Sequence, residues 1–324
     1  MKSIVALFLT VALVSSAWSQ SFKSAHVAAD AQWVVHAHVV DMFKTRFGER
    51  LAQQMEEGDA NHQLAAFRAM FQLDPKKDIA SVTLYGQSET PETGVAIVKG
   101  QFNRDHISTI LKAMKGYREH RHNDTVVHQW LVDQDAQTET QPSDDASNQV
   151  YGTFHGGNVM VLSGTLAPVK SALDVLNKTK PALSNPDLLR VLNQTAPGVY
   201  LQATANLSAM QGAAPAQPAQ GPDFKKEIKT LNLTVGETLD TLHLKLELGA
   251  VSAEAAAQMH AMAQGFLAMM QMQQADNPDM AKLMQALSFS LDGSTIRVGL
   301  KMPVADAIEA MEKQQRAGAG VQAR

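Results

Sequence analysis

Residues 239–248 read LDTLHLKLEL, and this stretch decides the fold class. Every second residue from Leu242 to Leu248 is leucine, and the residues between them are polar or charged. Because successive side chains of a β-strand point to opposite faces, the alternation predicts a strand over Leu239–Leu248 with one apolar face and one wet face. The same pattern recurs in three more segments: Leu231–Val235, Leu287–Leu291 and Ile296–Leu300. Four such strands predict an antiparallel sheet with helices over its leucine face.

A hairpin followed by a proline and a helix occurs twice along the chain. The segments Pro168–Leu176 and Pro303–Met311 both match P-V-x-x-A-apolar-x-x-apolar. Each follows a predicted hairpin with glycine in its turn, Tyr151–Ser163 in the first case and Leu287–Lys301 in the second. Glycine suits the positive φ of tight hairpin turns, and proline is favoured at the first position of a helix. The repeat predicts a tandem duplication.

These patterns predict an α+β fold of two related units, each an antiparallel sheet with helices packed on at least one face. We assign residues 20–182 to the first unit, with a helical insert at 42–71, and residues 183–316 to the second unit. Composition predicts a flexible linker at 211–223 and a disordered tail at 317–324. The first sheet is expected to be covered on both faces, since its strands have apolar residues on both sides.

The first residues of the chain predict export. Lys2 is followed by an apolar run over 4–14 and by the small residues Ala17 and Ser19 before a cleavage point. A charged start, a short apolar middle and a small-residue end are typical of a secretory signal peptide, assigned to 1–19. The apolar run is shorter than the roughly 20 residues that a spanning helix needs. We therefore predict a periplasmic or extracellular protein with no transmembrane segment after cleavage.

Composition excludes several classes of function. The 324-residue chain carries 28 basic and 32 acidic residues, a net charge of −4, with no block of positive charge. Nucleic-acid binding therefore has no electrostatic footprint. The chain has no cysteine, which excludes disulfides, thiol nucleophiles, cysteine-ligated metals and a lipidated N-terminal cysteine. An exported protein without cysteine is more typical of a bacterial envelope than of an animal secretory route.

No sequence motif of nucleophilic catalysis, nucleotide binding or zinc hydrolysis is present. We therefore predict that the protein is not an enzyme and has no cofactor. A triad assembled only in space would leave no such motif, so His155 and His243 are the residues to inspect for nearby Ser, Asp or Glu. The acidic stretch at 133–145 lacks the glycine and the closing glutamate of an EF-hand loop, so we predict a solvated loop there.

Two histidine groups are the candidates for metal ligation. His36 and His38 alternate in a predicted strand and so share one face, but no third ligand is near in sequence. His120 and His122 lie among acidic residues, where interleaved arginines would repel a divalent cation. The favoured interpretation is a solvated basic turn between a helix and a strand, and no metal is predicted. Zinc or copper at this cluster stays an open alternative.

A methionine-rich segment near the C-terminus has more than one interpretation. Met259, Met262, Phe266 and Met269 recur at helical spacing within a helix predicted at 252–274. Such a stripe predicts a core face packed on the sheet, with methionine as an adaptable filler. The alternatives are a flexible surface for an apolar ligand and thioether ligation of copper.

Two runs of sequence carry a resemblance to known proteins. Phe71–Ile79 leads into Val82–Gly86, and Val150–Gly156 leads into Val161–Ser163 and a helix at 169–176. Together they resemble a set of exported bacterial proteins of unknown function with tandem α+β units. The resemblance covers most of the chain after the signal peptide and rests on turns and hairpins. It implies the same fold class and carries over no functional residues.

These observations predict a non-enzymatic binding or structural protein of the bacterial cell envelope. The candidate contact face for an unknown protein partner is the wet sheet face that carries Lys245, Glu247, Arg297 and Lys301. The alternative is a periplasmic carrier of an apolar small molecule or lipid, held between the methionine-rich helix and the leucine face. The sequence names neither the ligand nor the partner.

Overall fold

The structure is a computed structural model. It describes residues 21–57, 60–88, 90–132, 148–194, 196–210, 224–273 and 278–322. Three of the predictions concern other residues: the signal peptide at 1–19, the linker at 211–223 and the acidic loop at 133–145 lie outside the described residues.

Twelve antiparallel strands form one continuous sheet in the described part of the chain. Their bounds are β1 Trp33–His38, β2 Ile79–Gly86, β3 Val95–Gly100, β4 Arg118–His122, β5 Thr125–Leu131, β6 Gln149–His155, β7 Val159–Ser163, β8 Val199–Asn206, β9 Ile228–Thr238, β10 Thr241–Ala250, β11 Leu287–Asp292 and β12 Thr295–Pro303. The strand order is β11-β12-β10-β9-β8-β1-β2-β3-β7-β6-β5-β4. The predicted α+β class is confirmed, and strands of both predicted units belong to the same sheet.

Helices connect the strands and cover the sheet. Their bounds are α1 Val39–Phe43, α2 Arg46–Glu57, α3 Ala60–Phe71, α4 Pro75–Asp78, α5 Arg104–Lys112, α6 Leu166–Leu176, α7 Pro186–Leu192, α8 Leu207–Met210, α9 Phe224–Glu227, α10 Ala253–Gln273, α11 Pro278–Ala286 and α12 Val304–Gln322. Two 3₁₀ turns lie at Ser24–His26 and Pro91–Thr93. None of the described helices combines the length and the apolar composition needed to cross a membrane.

The strand order contains one connectivity twice. In the first half of the chain, the order β1-β2-β3-β7-β6 contains a single strand, the hairpin β2–β3 and the hairpin β6–β7, whose later strand β7 pairs with β3. In the second half, the order β8-β9-β10-β12-β11 repeats this arrangement. The halves meet where β1 pairs with β8, with Trp33 opposite Ala205 and Ala37 opposite Leu201. Strands β5 and β4 extend the first half beyond β6.

Tight turns close the hairpins where the sequence predicted glycine. Gly156 has φ 58° between β6 and β7, and Gly293 has φ 56° between β11 and β12. Helices α6 and α12 follow these two hairpins, as predicted, but Pro168 is the third residue of α6 and Pro303 is the last residue of β12. The β9–β10 hairpin turns through Leu239 (φ 48°) and Asp240 (φ 57°). Leu239 was predicted at the start of a strand but lies in this turn, because Thr238 pairs with Thr241 across it.

The two faces of the sheet carry separate cores. On the α6 face, helices α6 and α7 cover the first half around Val34, Val161 and Leu173. On the opposite face, called the α5 face, α3 and α5 cover the same strands around Trp130 and Phe154. The first-half sheet is therefore covered on both faces, as expected. Helices α10, α11 and α12 pack on the leucine side of the second half.

Contacts cross the predicted boundary between residues 182 and 183. Leu188 of α7 lies after that boundary but packs into the core of the first half. Helix α2 belongs to the predicted insert, yet Glu237 of β9 accepts hydrogen bonds from the backbone N–H groups of Arg46 and Phe47 at 2.9 and 3.0 Å. The carboxylate satisfies donors that the first turn of a helix leaves unpaired. Side-chain packing and helix capping thus join the halves in addition to strand pairing.

The last helix extends further than the sequence predicted. Helix α12 continues to Gln322 and includes residues 317–322 of the segment predicted as a disordered tail. Its start is anchored, since Val304 and Ala307 are buried against the sheet. Adding a residue to an existing helix costs less than nucleating one, and alanine has the highest helix propensity.

Candidate functional site

An apolar cavity lies on the α5 face of the first half, under helices α3 and α5. Its volume is about 190 Å³. Its lining residues are mainly aromatic or aliphatic and include Phe71, Phe102, Ile107, Leu111, Trp130 and Phe154. Walls of this kind with few polar groups are typical of sites that bind small molecules.

Helix α5 places two aliphatic side chains over the cavity. Ile107 and Leu111 are four residues apart, so they lie on one side of the helix, and both are buried. Asn103 caps the helix, because its Oδ1 accepts a hydrogen bond from the backbone N–H of His106 at 3.2 Å. Phe71, the last residue of α3, also lines the cavity. Two helices separated by 32 residues of chain therefore close one cavity.

His128 of β5 brings a polar group into the cavity wall. Tyr117 Oη lies 2.9 Å from His128 Nδ1 and donates a hydrogen bond to Glu119 Oε1 at 2.7 Å. Since the Tyr117 hydroxyl donates its hydrogen bond to the carboxylate, its oxygen accepts a hydrogen bond from Nδ1–H of the neutral imidazole. Burial is the main cause that lowers the pKa of His128, and the hydrogen bond from Tyr117 is the main cause that lowers the pKa of Glu119. The imidazole in the wall is therefore neutral at physiological pH.

A polar groove of about 710 Å³ adjoins the cavity at the start of α5. The cavity and the groove share four lining residues, Phe102, His128, Thr153 and Phe154. Arg104 donates a hydrogen bond to the carbonyl of Gly156 at 2.7 Å, and its guanidinium lies 5.2 Å from the ring centroid of Phe154. Asp105 and Asp124 also line the groove. An apolar space thus opens beside a charged one.

The candidate contact face differs from its prediction at Glu247. Its side chain is only 7% exposed, because Arg190 of α7 lies over it and donates to Oε2 at 3.0 Å. Oε1 lies 2.8 Å from Lys245 Nζ and 3.4 Å from Arg297 Nε. Lys245 and Lys301 are exposed, and Arg297 is partly exposed. The face therefore presents cations to water, while its carboxylate is internal.

The predicted basic turn is an edge strand. Residues 118–122 form β4, which pairs with β5, so the histidines are held by cross-strand and helix contacts. His120 Nε2 donates to Gln129 Oε1 at 2.6 Å, and His122 Nε2 donates to Asp174 Oδ1 of α6 at 2.6 Å. The bond from His122 is the main cause that lowers the pKa of Asp174. Both imidazoles have protein partners in this structure.

The other candidate histidines lie in strands β1, β6 and β10. His36 is hydrogen-bonded to Thr83 at 2.8 Å, and its ring lies 4.6 Å from that of His38. His243 is hydrogen-bonded to Thr238 at 2.8 Å, and His155 is among the residues that line the groove. Within the described ranges, no group of three or more His, Cys, Asp or Glu side chains is arranged to hold a metal ion.

Of the stripe predicted on helix α10, only Met259 packs on the sheet. The other three residues, Met262, Phe266 and Met269, are exposed to 52, 57 and 49%. Besides Met259, the side turned to the sheet carries buried or half-buried residues at helical spacing: Ala256, Ala263, Leu267 and Met270. The helix is apolar on most of its circumference, so hydrophobic periodicity did not select one face.

The fold and the site define an α+β protein in which one antiparallel sheet carries a small apolar cavity. No protein-family model matches the sequence, and a comparison with curated proteins finds no match. The chain is similar in structure to TP0453 in crystal form III, with a TM-score of 0.51 and 6% sequence identity over 91% of this chain and 99% of that chain. Crystal form I of TP0453 gives a TM-score of 0.47 and 8% identity. At 6% identity the likeness to crystal form III shows a shared fold alone.

Proposed function

We propose that the chain is an exported, non-enzymatic binding protein of the bacterial cell envelope, whose ligand is an apolar small molecule or lipid. The observation that carries the proposal is the apolar cavity of about 190 Å³ under α5. In another protein, an apolar cavity of about 150 Å³ takes up benzene, so this volume suits a single ring or a short stretch of acyl chain. The proposal places the ligand in the first half, and not against the methionine-rich helix.

The groove beside the cavity suggests how the ligand is oriented. An apolar part in the cavity gains dispersion contacts with the aromatic walls and leaves water. A polar end cannot enter without losing its hydrogen bonds to water, so it stays in the groove near Arg104. Of the two proposed classes of ligand, the groove therefore favours a lipid with a narrow apolar end.

Binding of toluene, which carries a single ring, tests the cavity. Its calorimetric titration gives a dissociation constant. Val98→Phe places a ring where Val98 lines the cavity, and should weaken binding by about tenfold or more, which corresponds to about 1.4 kcal/mol. Val298→Phe is the matched control, because Val298 is a half-buried strand residue in the second-half core.

The outcome decides the proposal directly. Equal affinity of the wild type and Val98→Phe, with both proteins folded by circular dichroism, would contradict it, as would the absence of saturable binding to the wild type. Native mass spectrometry of protein purified from its host then identifies a bound ligand by mass.

Export is part of the proposal and is supported by the sequence of residues 1–19. The expected observation is a chain about 19 residues shorter than the gene product in the periplasmic or extracellular fraction. Full-length chain recovered only from the cytosol would contradict it.

We also propose that the two halves derive from a tandem duplication. The proposal is supported by the shared P-V-x-x-A pattern and by the repeated strand connectivity around the β1–β8 junction. Superposition of β1-β2-β3-β7-β6 on β8-β9-β10-β12-β11 tests it, since a common origin requires the strands to superpose together with α6 on α12.

A further inference from the structure

A row of polar side chains crosses the first-half sheet on the α6 face, opposite the cavity. Strand register places His38 beside Ser81, and Ser81 beside Lys99. Lys99 lies beside Val159, which pairs with His155. Neighbouring strands lie about 4.8 Å apart, so directly opposed side chains on one face are within contact range. Three adjacent strands therefore bring imidazole, hydroxyl and ammonium groups together.

Lys99 is buried without a compensating charge. The residue is 4% exposed. Burial is the main cause that lowers its pKa, to about 8, the charge of Lys23 lowers it further, and no carboxylate of the described residues opposes them. A buried ammonium without an anionic partner is costly, because it loses hydration and gains no ion pair.

Two hydrogen-bonding groups near Lys99 also lack partners within the described part of the chain. Ser81 is 1% exposed, and its Oγ has no hydrogen-bond partner there. The buried Nδ1 of His26, in the 3₁₀ turn before β1, has none either. Burial lowers the pKa of His26 to about 4, and Lys99, Lys23 and His155 lower it in addition. The positive charges therefore act on the same small region.

The carboxylate that acts on this region is that of Asp41, and it already forms an ion pair with Lys44. Burial lowers the pKa of His38, Asp41 raises it, and Lys99 lowers it. The Asp41 carboxylate lies 3.1 Å from Lys44 Nζ, which neutralises it on the exposed side. The cluster thus keeps a net positive charge.

We propose that Lys99, Ser81 and His26 form a binding site for one phosphate group, with Lys23 at its exposed side. Two ammonium groups match the charge of a phosphate dianion better than that of a single carboxylate. The hydroxyl and the imidazole N–H supply donors for its oxygens. The site lies on the opposite face of the sheet from the cavity, so it does not depend on the proposed function.

Calorimetric titration with inorganic phosphate at constant ionic strength tests the site. The wild type should show saturable binding and a higher melting temperature, because a ligand that binds only the folded state stabilises it. Lys99→Met should abolish binding, and Ser81→Ala should weaken it about tenfold. Lys229→Met is the matched control, since Lys229 is an exposed lysine of the second half. The affinity of this variant for phosphate should equal that of the wild type.

A second measurement is independent of affinity. Bound phosphate should raise the pKa of His26 from about 4 towards its ordinary value, which the imidazole resonances report by NMR. Phosphate that binds Lys99→Met or Ser81→Ala as tightly as the wild type would overturn the proposal. Absence of a saturable response to tens of millimolar phosphate in the wild type would also overturn it. If Lys99→Met fails to fold, Ser81→Ala decides the result.

Discussion

Glu247 illustrates how a residue can follow its strand pattern and still lie in an unexpected environment. The alternation of β10 correctly places it on the face opposite the leucines. Burial raises its pKa, but hydrogen bonds from Lys245 and Arg190 outweigh burial and hold the pKa below its ordinary value of 4.5. Arg190 comes from a helix 57 residues away in sequence, and strand periodicity carries no information about such a contact.

Replacing this carboxylate should destabilise the protein in a pH-dependent way. Glu247→Gln should lower the free energy of unfolding at pH 7 by about 1–3 kcal/mol, because charge-assisted hydrogen bonds are lost. A carboxyl group whose pKa is lowered by folding stabilises the fold above its unfolded pKa. That contribution is lost as the pH falls through the folded pKa. Urea unfolding at pH 7 and at several pH values below 4.5 should therefore show the difference shrinking in acid.

Lys301→Gln is the control for this prediction. Lys301 lies on the same face but is exposed, so its substitution should change the free energy of unfolding by less than about 0.5 kcal/mol. A Glu247→Gln defect that stays constant down to low pH would contradict the role assigned to the carboxylate.

At the scale of single elements, the β9–β10 hairpin has an unusual turn residue. Leu239 is 99% exposed and has positive φ, as does Asp240. Two consecutive positive φ values are typical of a type I′ turn, for which Asn-Gly is the preferred sequence. Leucine has a Cβ that clashes in this conformation, and its side chain gains no packing here. Strand pairing on both sides imposes the turn on an unfavourable residue.

Leu239→Asn should therefore stabilise the protein. The expected gain in the free energy of unfolding is about 1 kcal/mol, because asparagine tolerates the left-handed region. Leu239→Val is the matched variant: it also changes an exposed side chain, but a β-branched residue fits positive φ poorly and should destabilise the protein. Urea denaturation measures both, and a Leu239→Asn protein less stable than Leu239→Val would contradict the turn geometry.

At the scale of the whole molecule, the β1–β8 junction makes one sheet from two repeated connectivities. The junction is buried and polar, since His36, Gln202 and Thr204 are each less than 4% exposed. Gln202 Nε2 donates to the carbonyls of Val191 and Gln194 at 2.6 and 2.9 Å. A buried polar group that keeps its hydrogen bonds avoids the desolvation penalty of an unpaired one. The junction is therefore compatible with a shared core.

The protein should unfold in a single cooperative transition. Trp33→Phe leaves Trp130 as the fluorophore of the first half, in protein expressed without residues 1–19. A second variant, Trp33→Phe/Trp130→Phe/Phe289→Trp, places the fluorophore in β11 at the far edge of the sheet. In each protein, the urea midpoints from fluorescence and from circular dichroism should coincide, because contacts cross between the halves. Separate midpoints would indicate halves that unfold independently.

The strands, the hairpin turns and the helices after them could be predicted because their signals are local. Leucine alternation in β10, glycine at the turns of β6–β7 and β11–β12, and the P-V-x-x-A segments each lie within a few residues. Strand β4 was missed because its five residues lack apolar alternation, and the face of α10 was misassigned because that helix is apolar on most sides.

The cavity and the Lys99 cluster were decided only by the tertiary structure. The cavity walls come from helices and strands distant in sequence, and Lys99 meets Ser81 and His26 only through strand register and the packing of a short turn. Hydrophobic periodicity and the residue types of turns depend on neighbours along the chain, whereas burial and charge pairing depend on neighbours in space. The sequence by itself therefore determined the elements and the α+β class, and the packing of those elements determined where the apolar cavity and the Lys99 cluster lie.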